Sequence, residues 1–72
     1  MLFGENFKLC RKQSGLTQKQ VAEKLGIQQS NISDWENDIS RPSYEFLIRL
    51  AHEIYHISIY DLLGIDEPSF RG

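Results

Sequence analysis

The stretch of sequence that decides the fold is TQKQVAEKLGIQQSNISDWE, residues 17–36. Thr17 is a favourable residue for capping the start of a helix, and Gln20, three positions later, completes a capping box. Gly26 can take the left-handed backbone conformation that ends a helix and redirects the chain. Between them lies an apolar stripe at helical spacing, formed by Val21, Ala22 and Leu25. The first half of the stretch therefore predicts a short helix that stops at a sharp turn.

The second half of the stretch predicts another short helix, over about residues 28–36. Gln28 can cap this helix together with its neighbours, and Ile32 and Trp35 give it an apolar face. The small side chain of Ala22 suits two helices that cross closely at a steep angle. Together these features predict a helix-turn-helix, whose second helix lies in the DNA major groove. An ordinary helical hairpin explains the packing but not the polar surface of the second helix.

An amphipathic helix is predicted before this stretch, over residues 3–14. Its apolar residues Phe3, Phe7 and Cys10 recur at intervals of four and three, and Gly15 follows as a stop. No segment of the chain shows the period of two that a half-buried strand requires. The sequence therefore predicts helices joined by short loops.

Two further helices and a tail complete the predicted architecture. Ser43 caps a fourth helix after a loop at 37–42, and Ser58 caps a fifth. We therefore expect residues 1–65 to form one compact all-α domain of five helices. Residues 66–72 are predicted to be a short, loose C-terminal tail.

The composition limits the classes of protein to which the chain can belong. A chain of 72 residues makes one domain, and at this size we expect marginal stability without help such as dimerisation. The single cysteine, Cys10, excludes an internal disulfide and fits a reducing compartment. No apolar run approaches the length of a membrane span, and no signal peptide is visible. These observations favour a cytoplasmic protein without a membrane partner.

The charge is unevenly distributed along the chain. The net charge is −2, whereas nucleic-acid binders usually carry a basic excess. Residues 1–24 hold five basic and two acidic side chains, and residues 25–72 hold three basic and eight acidic ones. The first third can therefore face phosphates. No Lys or Arg lies between Gly26 and Ser40, so we expect modest affinity for DNA from a monomer.

Enzymatic and metal-binding readings find little support. His52 and His56 have the spacing of a metal pair, and Glu53 or Asp61 would have to serve as the third ligand. Histidines exposed on a helix surface are the simpler interpretation. Cys10 falls at an apolar helix position, which favours a buried thiol over a nucleophile. The glycines are too dispersed for a phosphate loop. We therefore expect no enzyme activity, no metal and no cofactor.

Matching positions run through residues 3–64 and identify a family. They are Gly15-Leu16-Thr17-Gln18, Val21-Ala22-Glu23-Lys24-Leu25-Gly26-Ile27, Ser30, Ile32-Ser33, Trp35-Glu36-Asn37, Arg41-Pro42-Ser43, Leu47, Leu50-Ala51, Ile57-Ser58 and Leu62-Leu63-Gly64. In these residues the chain resembles the Cro/C1-type (XRE) helix-turn-helix family, related to the phage lambda repressor. The resemblance implies a five-helix lambda-repressor-like domain that binds a (pseudo)palindromic DNA operator, commonly as a homodimer. It implies a sequence-specific transcriptional regulator that acts as a repressor.

The resemblance also implies which side chains read bases. These are four positions of the second motif helix: Gln29, Ser30, Ser33 and Asp34. A glutamine can pair with adenine N6 and N7, and a serine tolerates several bases. Asp34 stands where many relatives carry a basic or amide residue; a carboxylate repels phosphate but can accept from cytosine N4. Each of these positions also has a purely structural interpretation. Gln28 and Gln29 would then be solvated residues at the start of a helix, and the serines would be small only to relieve crowding. Asp34 would be a half-solvated acid away from the interface.

Contacts with the DNA backbone are implied at six positions: Gln18, Lys19, Gln28, Asn31, Asn37 and Arg41. In relatives, the glutamine equivalent to Gln18 grips a phosphate and braces the recognition helix, and an amide at a helix N-terminus suits an anion. Arg11 and Glu36 match positions that form a salt bridge between the first and third helices, which we prefer to a direct contact with DNA. Trp35 is expected in the core rather than as a stacking platform.

The last part of the chain raises the question of a partner. The joint from Ala51 to Ser58 is one residue longer than is usual in the family, which would extend the fourth helix and shift the fifth, where relatives often dimerise. The apolar residues expected near a dimer surface are Phe46, Ile59 and Tyr60, together with Tyr44. A second class of function is a protein-interaction module, an antitoxin or repressor subunit whose acidic C-terminal half engages another protein.

Overall fold

The structure, a computed structural model, describes residues 2–66 of the chain. Its helices are α1 (Phe3–Gln13), α2 (Gln18–Leu25), α3 (Gln29–Glu36), α4 (Tyr44–Arg49) and α5 (Ile59–Leu63), and a π-helical segment, Leu50–Tyr55, continues α4. No strand occurs among the residues described, which confirms the all-α prediction. From residue 67 onward, the predicted tail lies outside the described part of the chain.

The turn between α2 and α3 has the chemistry that the sequence predicts. Thr17 Oγ1 accepts from the backbone N–H of Gln20 at 3.1 Å, and Gln20 Oε1 accepts from the backbone N–H of Thr17 at 2.9 Å. Gly26 ends α2 in the left-handed conformation, at φ 73° and ψ 31°. Gln28 occupies the N-cap position of α3 as expected, but its side chain makes no capping hydrogen bond. A glutamine side chain is longer than the Ser, Thr, Asp or Asn side chains that usually reach back to cap a helix.

The core is assembled from every part of the bundle. Trp35 is buried and meets the ring of Phe7 edge-on, at 6.0 Å between centroids, so it belongs to the core as predicted. Ala22 of α2 is also buried, and α2 packs against α3. The largest side chains with no exposed surface come from α1, α2, α3, the π-helical segment and α5: Phe7, Val21, Ile32, Leu50 and Leu62.

The start of α1 approaches the end of α3 very closely. A Cβ atom at Gly4 would clash with the backbone carbonyl of Glu36, so only glycine fits at this position. Asp38, in the loop after α3, adopts a positive φ of 59°. Its Oδ1 accepts from the backbone N–H of Gly4 at 3.0 Å, and it thereby satisfies a donor in the first turn of α1.

The joint before α5 contains the π-helical segment. The segment ends at His56, which adopts the left-handed conformation at φ 56° and ψ 47°. The N–H of Ile57 then donates to the carbonyl of Ala51 at 2.8 Å. Because a π-helical turn holds more residues than an α-helical one, this segment uses more residues per turn than α4 does. No helix in the described part of the chain is long and apolar enough to cross a membrane.

Candidate nucleic-acid interface

A buried ion pair lies beneath the helix-turn-helix. Arg11 Nε donates to Glu36 Oε2 at 2.6 Å, and Arg11 Nη2 donates to Oε1 at 3.1 Å. The remaining Nη1 donates to the carbonyl of Leu16 at 3.0 Å. The hydrogen bond to Glu36 raises the pKa of the Arg11 guanidinium. This pair joins α1 and α3 to the turn before α2, and so it fixes the angle at which α3 is presented.

A series of hydrogen bonds leads from this pair to the surface. Glu36 Oε1 also accepts from Nε2 of Gln18 at 3.1 Å, and Gln18 Oε1 accepts from Nε2 of Gln29 at 3.3 Å. Gln18, the first residue of α2, therefore connects a buried carboxylate to the first residue of α3. The Oε1 atom and the second N–H of Gln29 make no hydrogen bond within residues 2–66. An amide needs one free acceptor and one free donor to pair with N6 and N7 of adenine.

The other candidate base-reading residues also lie on α3. Ser30 is exposed, and Ser33 and Asp34 are half-buried. The carbonyl and the hydroxyl of Ser33 accept from Asn37 Nδ2 at 2.9 and 3.4 Å. The Asp34 carboxylate forms no ion pair among the residues described. Gln29, Ser30 and Asp34 thus keep side-chain groups free for a partner, whereas Ser33 shares its hydroxyl with Asn37.

The candidate backbone contacts fall into two groups. Lys19, Gln28 and Asn31 are exposed, without a side-chain hydrogen bond among the residues described. Asn37 and Arg41 make contacts within the protein: Asn37 donates to the last turn of α3, and Arg41 contacts Asp38 and Phe3. One of these, Asp38, precedes Arg41 by three residues and was visible in the sequence. The other, Phe3, lies far away in the chain, and no local pattern points to it.

The candidate dimer residues are divided between core and surface. Phe46 and Ile59 are half-buried and pack against the core, with the Phe46 ring 5.6 Å from that of Trp35. Tyr60 is half-buried, and Tyr44 is 75% exposed. Four other apolar side chains are exposed, which the sequence pattern did not predict: Leu2, Leu9, Ile39 and Ile65.

The remaining titratable groups among residues 2–66 do not form a second centre. His52 and His56 are both exposed, and no group of His, Cys, Asp or Glu that could hold a metal occurs among the described residues. Cys10 is buried, and this burial raises the pKa of its thiol, with a smaller contribution from Asp61. A thiol held in its protonated form is a poor nucleophile. Burial likewise raises the pKa of the Tyr55 hydroxyl.

Comparison with known proteins identifies the same architecture. A family model described as helix-turn-helix matches residues 7–54. The chain is 41% identical over its full length to the HTH-type transcriptional regulator ImmR of Bacillus subtilis, of which it spans 56%. Over 92% of its length it is 35% identical to the antitoxin PezA of Streptococcus pneumoniae, of which it spans 41%.

A solved structure gives the same result at the level of the fold. The crystal structure of a transcriptional regulator from Listeria innocua superimposes with a TM-score of 0.79 at 32% identity, covering 99% of this chain and 65% of that one. These relatives are named as regulators and an antitoxin, not as enzymes. The chain therefore belongs to the XRE-type (Cro/C1-type) helix-turn-helix family of DNA-binding transcriptional regulators.

Proposed function

We propose that this domain binds a specific site in double-stranded DNA with α3 in the major groove, and that it represses a promoter by excluding polymerase. The observation that carries this proposal is the series of hydrogen bonds from Arg11 through Glu36 and Gln18 to Gln29. It ties an exposed amide at the start of α3 to the buried ion pair. A side chain supported in this way discriminates between bases better than a mobile one.

The proposed contacts include groups that are free and groups, on Gln18, Ser33, Asn37 and Arg41, that also contact their own protein. Gln29 reads adenine through its unoccupied amide groups, and Ser30 and Ser33 add contacts that tolerate several bases. Asp34 accepts from cytosine N4, and its charge disfavours the acceptor edge of guanine. The backbone contacts that position α3 are made by Gln18, Lys19, Gln28, Asn31, Asn37 and Arg41.

The proposed regulator is a cytoplasmic homodimer on a (pseudo)palindromic operator. The support for dimerisation is energetic: α3 carries no basic side chain, so one domain gains little from phosphates beyond Lys19 and Arg41. Two linked domains double the contacts. The exposed parts of Phe46, Ile59 and Tyr60 are the surface we assign to the partner copy.

A second candidate function is an interaction with another protein through the acidic C-terminal half. It is favoured by the similarity to the antitoxin PezA and by the excess of five acidic over basic residues in 25–72, eight against three. The two functions differ in their response to salt. Binding to DNA through Z phosphates weakens with a log–log slope of about −0.9Z.

Titration with a DNA site selected from a random library, at two salt concentrations, tests the proposed function. We expect specific binding that weakens markedly as salt rises. Failure to bind any selected sequence at low salt would contradict the proposal and favour the protein-interaction module.

A further inference from the structure

The Arg41 side chain is held at the surface by two residues outside the proposed DNA contacts, Phe3 and Asp38. Its guanidinium carbon lies 4.4 Å from the centre of the Phe3 ring, a distance at which a cation is attracted to an aromatic face. Arg41 Nη2 lies 3.7 Å from Asp38 Oδ1. The side chain nevertheless remains 64% exposed, so N–H groups of the guanidinium are still presented to solvent.

Both neighbours of Arg41 are themselves fixed. The half-buried ring of Phe3 stacks on the fully buried ring of Phe7, with 5.3 Å between centroids and 21° between planes. Asp38 is held because its Oδ1 accepts from the backbone N–H of Gly4. The first turn of α1 and the loop after α3 therefore form one interlocked cluster, with Arg41 on its outer side.

This cluster adjoins α3, the helix proposed to read bases. The loop follows α3 directly, and Asn37 binds the last turn of α3 at the start of the loop. A long side chain loses rotamer freedom when it makes a contact, and a side chain that is already ordered loses less on binding. We propose that Phe3 is a positioning residue for DNA binding, whose ring holds the Arg41 guanidinium where it meets a phosphate. The inference rests on the proposed function, in which Arg41 contacts the DNA backbone.

A double-mutant cycle on a selected DNA site tests this inference. The variants are Phe3→Leu, which keeps an apolar side chain but removes the ring, Arg41→Ala, and the two combined. We expect Phe3→Leu to weaken binding by about two- to five-fold on all sequences, the range for an exposed cation–π contact. Arg41→Ala should lower the magnitude of the log–log salt slope by about 0.9, because one phosphate contact is lost. Phe3→Leu should leave this slope unchanged, since Arg41 still reaches the phosphate.

The combined variant separates positioning from folding. If the ring acts through Arg41, Phe3→Leu has no further effect in the Arg41→Ala background, and Phe3→Tyr, which keeps the ring, binds like the unsubstituted chain. Thermal unfolding of each variant confirms that it is folded at the temperature of the titration. An equal loss in both backgrounds, or tighter binding by Phe3→Leu, overturns the inference. It is also overturned if Arg41→Ala binds normally, whereas failure of the unsubstituted chain to bind any sequence overturns the proposed function itself.

Discussion

Glu36 shows how much a single side chain can matter in a small domain. Its carboxylate receives two hydrogen bonds from Arg11 and one from Gln18. Removing it leaves the Arg11 charge buried without a partner, so we predict that Glu36→Ala lowers the free energy of unfolding by about 3–5 kcal/mol. Urea denaturation followed by the fluorescence of Trp35 measures this loss.

The matched control for Glu36 is Glu53, whose pair with Arg49 lies at the surface with 3.4 Å between Glu53 Oε2 and Arg49 Nε. Because exposed ion pairs contribute little, Glu53→Ala should leave the denaturation midpoint almost unchanged. Similar midpoints for the two alanine variants would mean that the buried pair does not hold α1 and α3 together.

Replacing Gln29 should change the sequence preference of DNA binding, whereas replacing Lys19 should change only the affinity. We predict that Gln29→Ala costs about 1–3 kcal/mol on the correct operator and relaxes the preference at one base pair. Lys19→Ala should weaken all sequences about equally and reduce the salt slope by about one unit. Titration of both variants on the operator and on single-base variants gives the comparison. If Gln29→Ala also weakens every sequence equally, Gln29 is not a base reader.

At the scale of helices and turns, two glycines should be costly to replace for different reasons. A Cβ at Gly26 would meet open space, so Gly26→Ala is penalised only by its positive φ, at about 1–2 kcal/mol. Gly4→Ala would drive a Cβ into the backbone of Glu36, and α1 must then move away from α3. We predict that Gly4→Ala lowers the free energy of unfolding more than Gly26→Ala does. Equal losses in urea denaturation would contradict the close approach.

The helices that the sequence predicts well are those specified by neighbouring residues. The capping box of Thr17 and the stop at Gly26 depend on residues within one turn, and both occur as expected. The cluster around Arg41 joins residues that are distant in the chain, and the π-helical segment has an apolar pattern that suits an α-helix equally well. Periodicity contains no signal for either. The Arg11–Glu36 pair could be anticipated only because the family resemblance linked two positions that lie 25 residues apart.

At the scale of the whole molecule, the basic side chains lie outside α3 in the sequence. Residues 1–24 carry an excess of three basic side chains, five against two, and the helix with the exposed amide of Gln29 carries none. The helix proposed to read bases therefore gains no attraction to phosphates from basic side chains of its own. Under the proposed function, specific binding then depends on directed hydrogen bonds from α3 and on a second copy at a symmetric half-site.

Selection of bound DNA from a random library tests the sequence-specific binding by α3 most directly. We predict enrichment of one (pseudo)palindromic site, with an adenine in each half and half-site centres about 10 base pairs apart, which is one turn of DNA. Recovery of unrelated sequences with no shared site, at a salt concentration where the protein still retains DNA, would contradict base reading by α3.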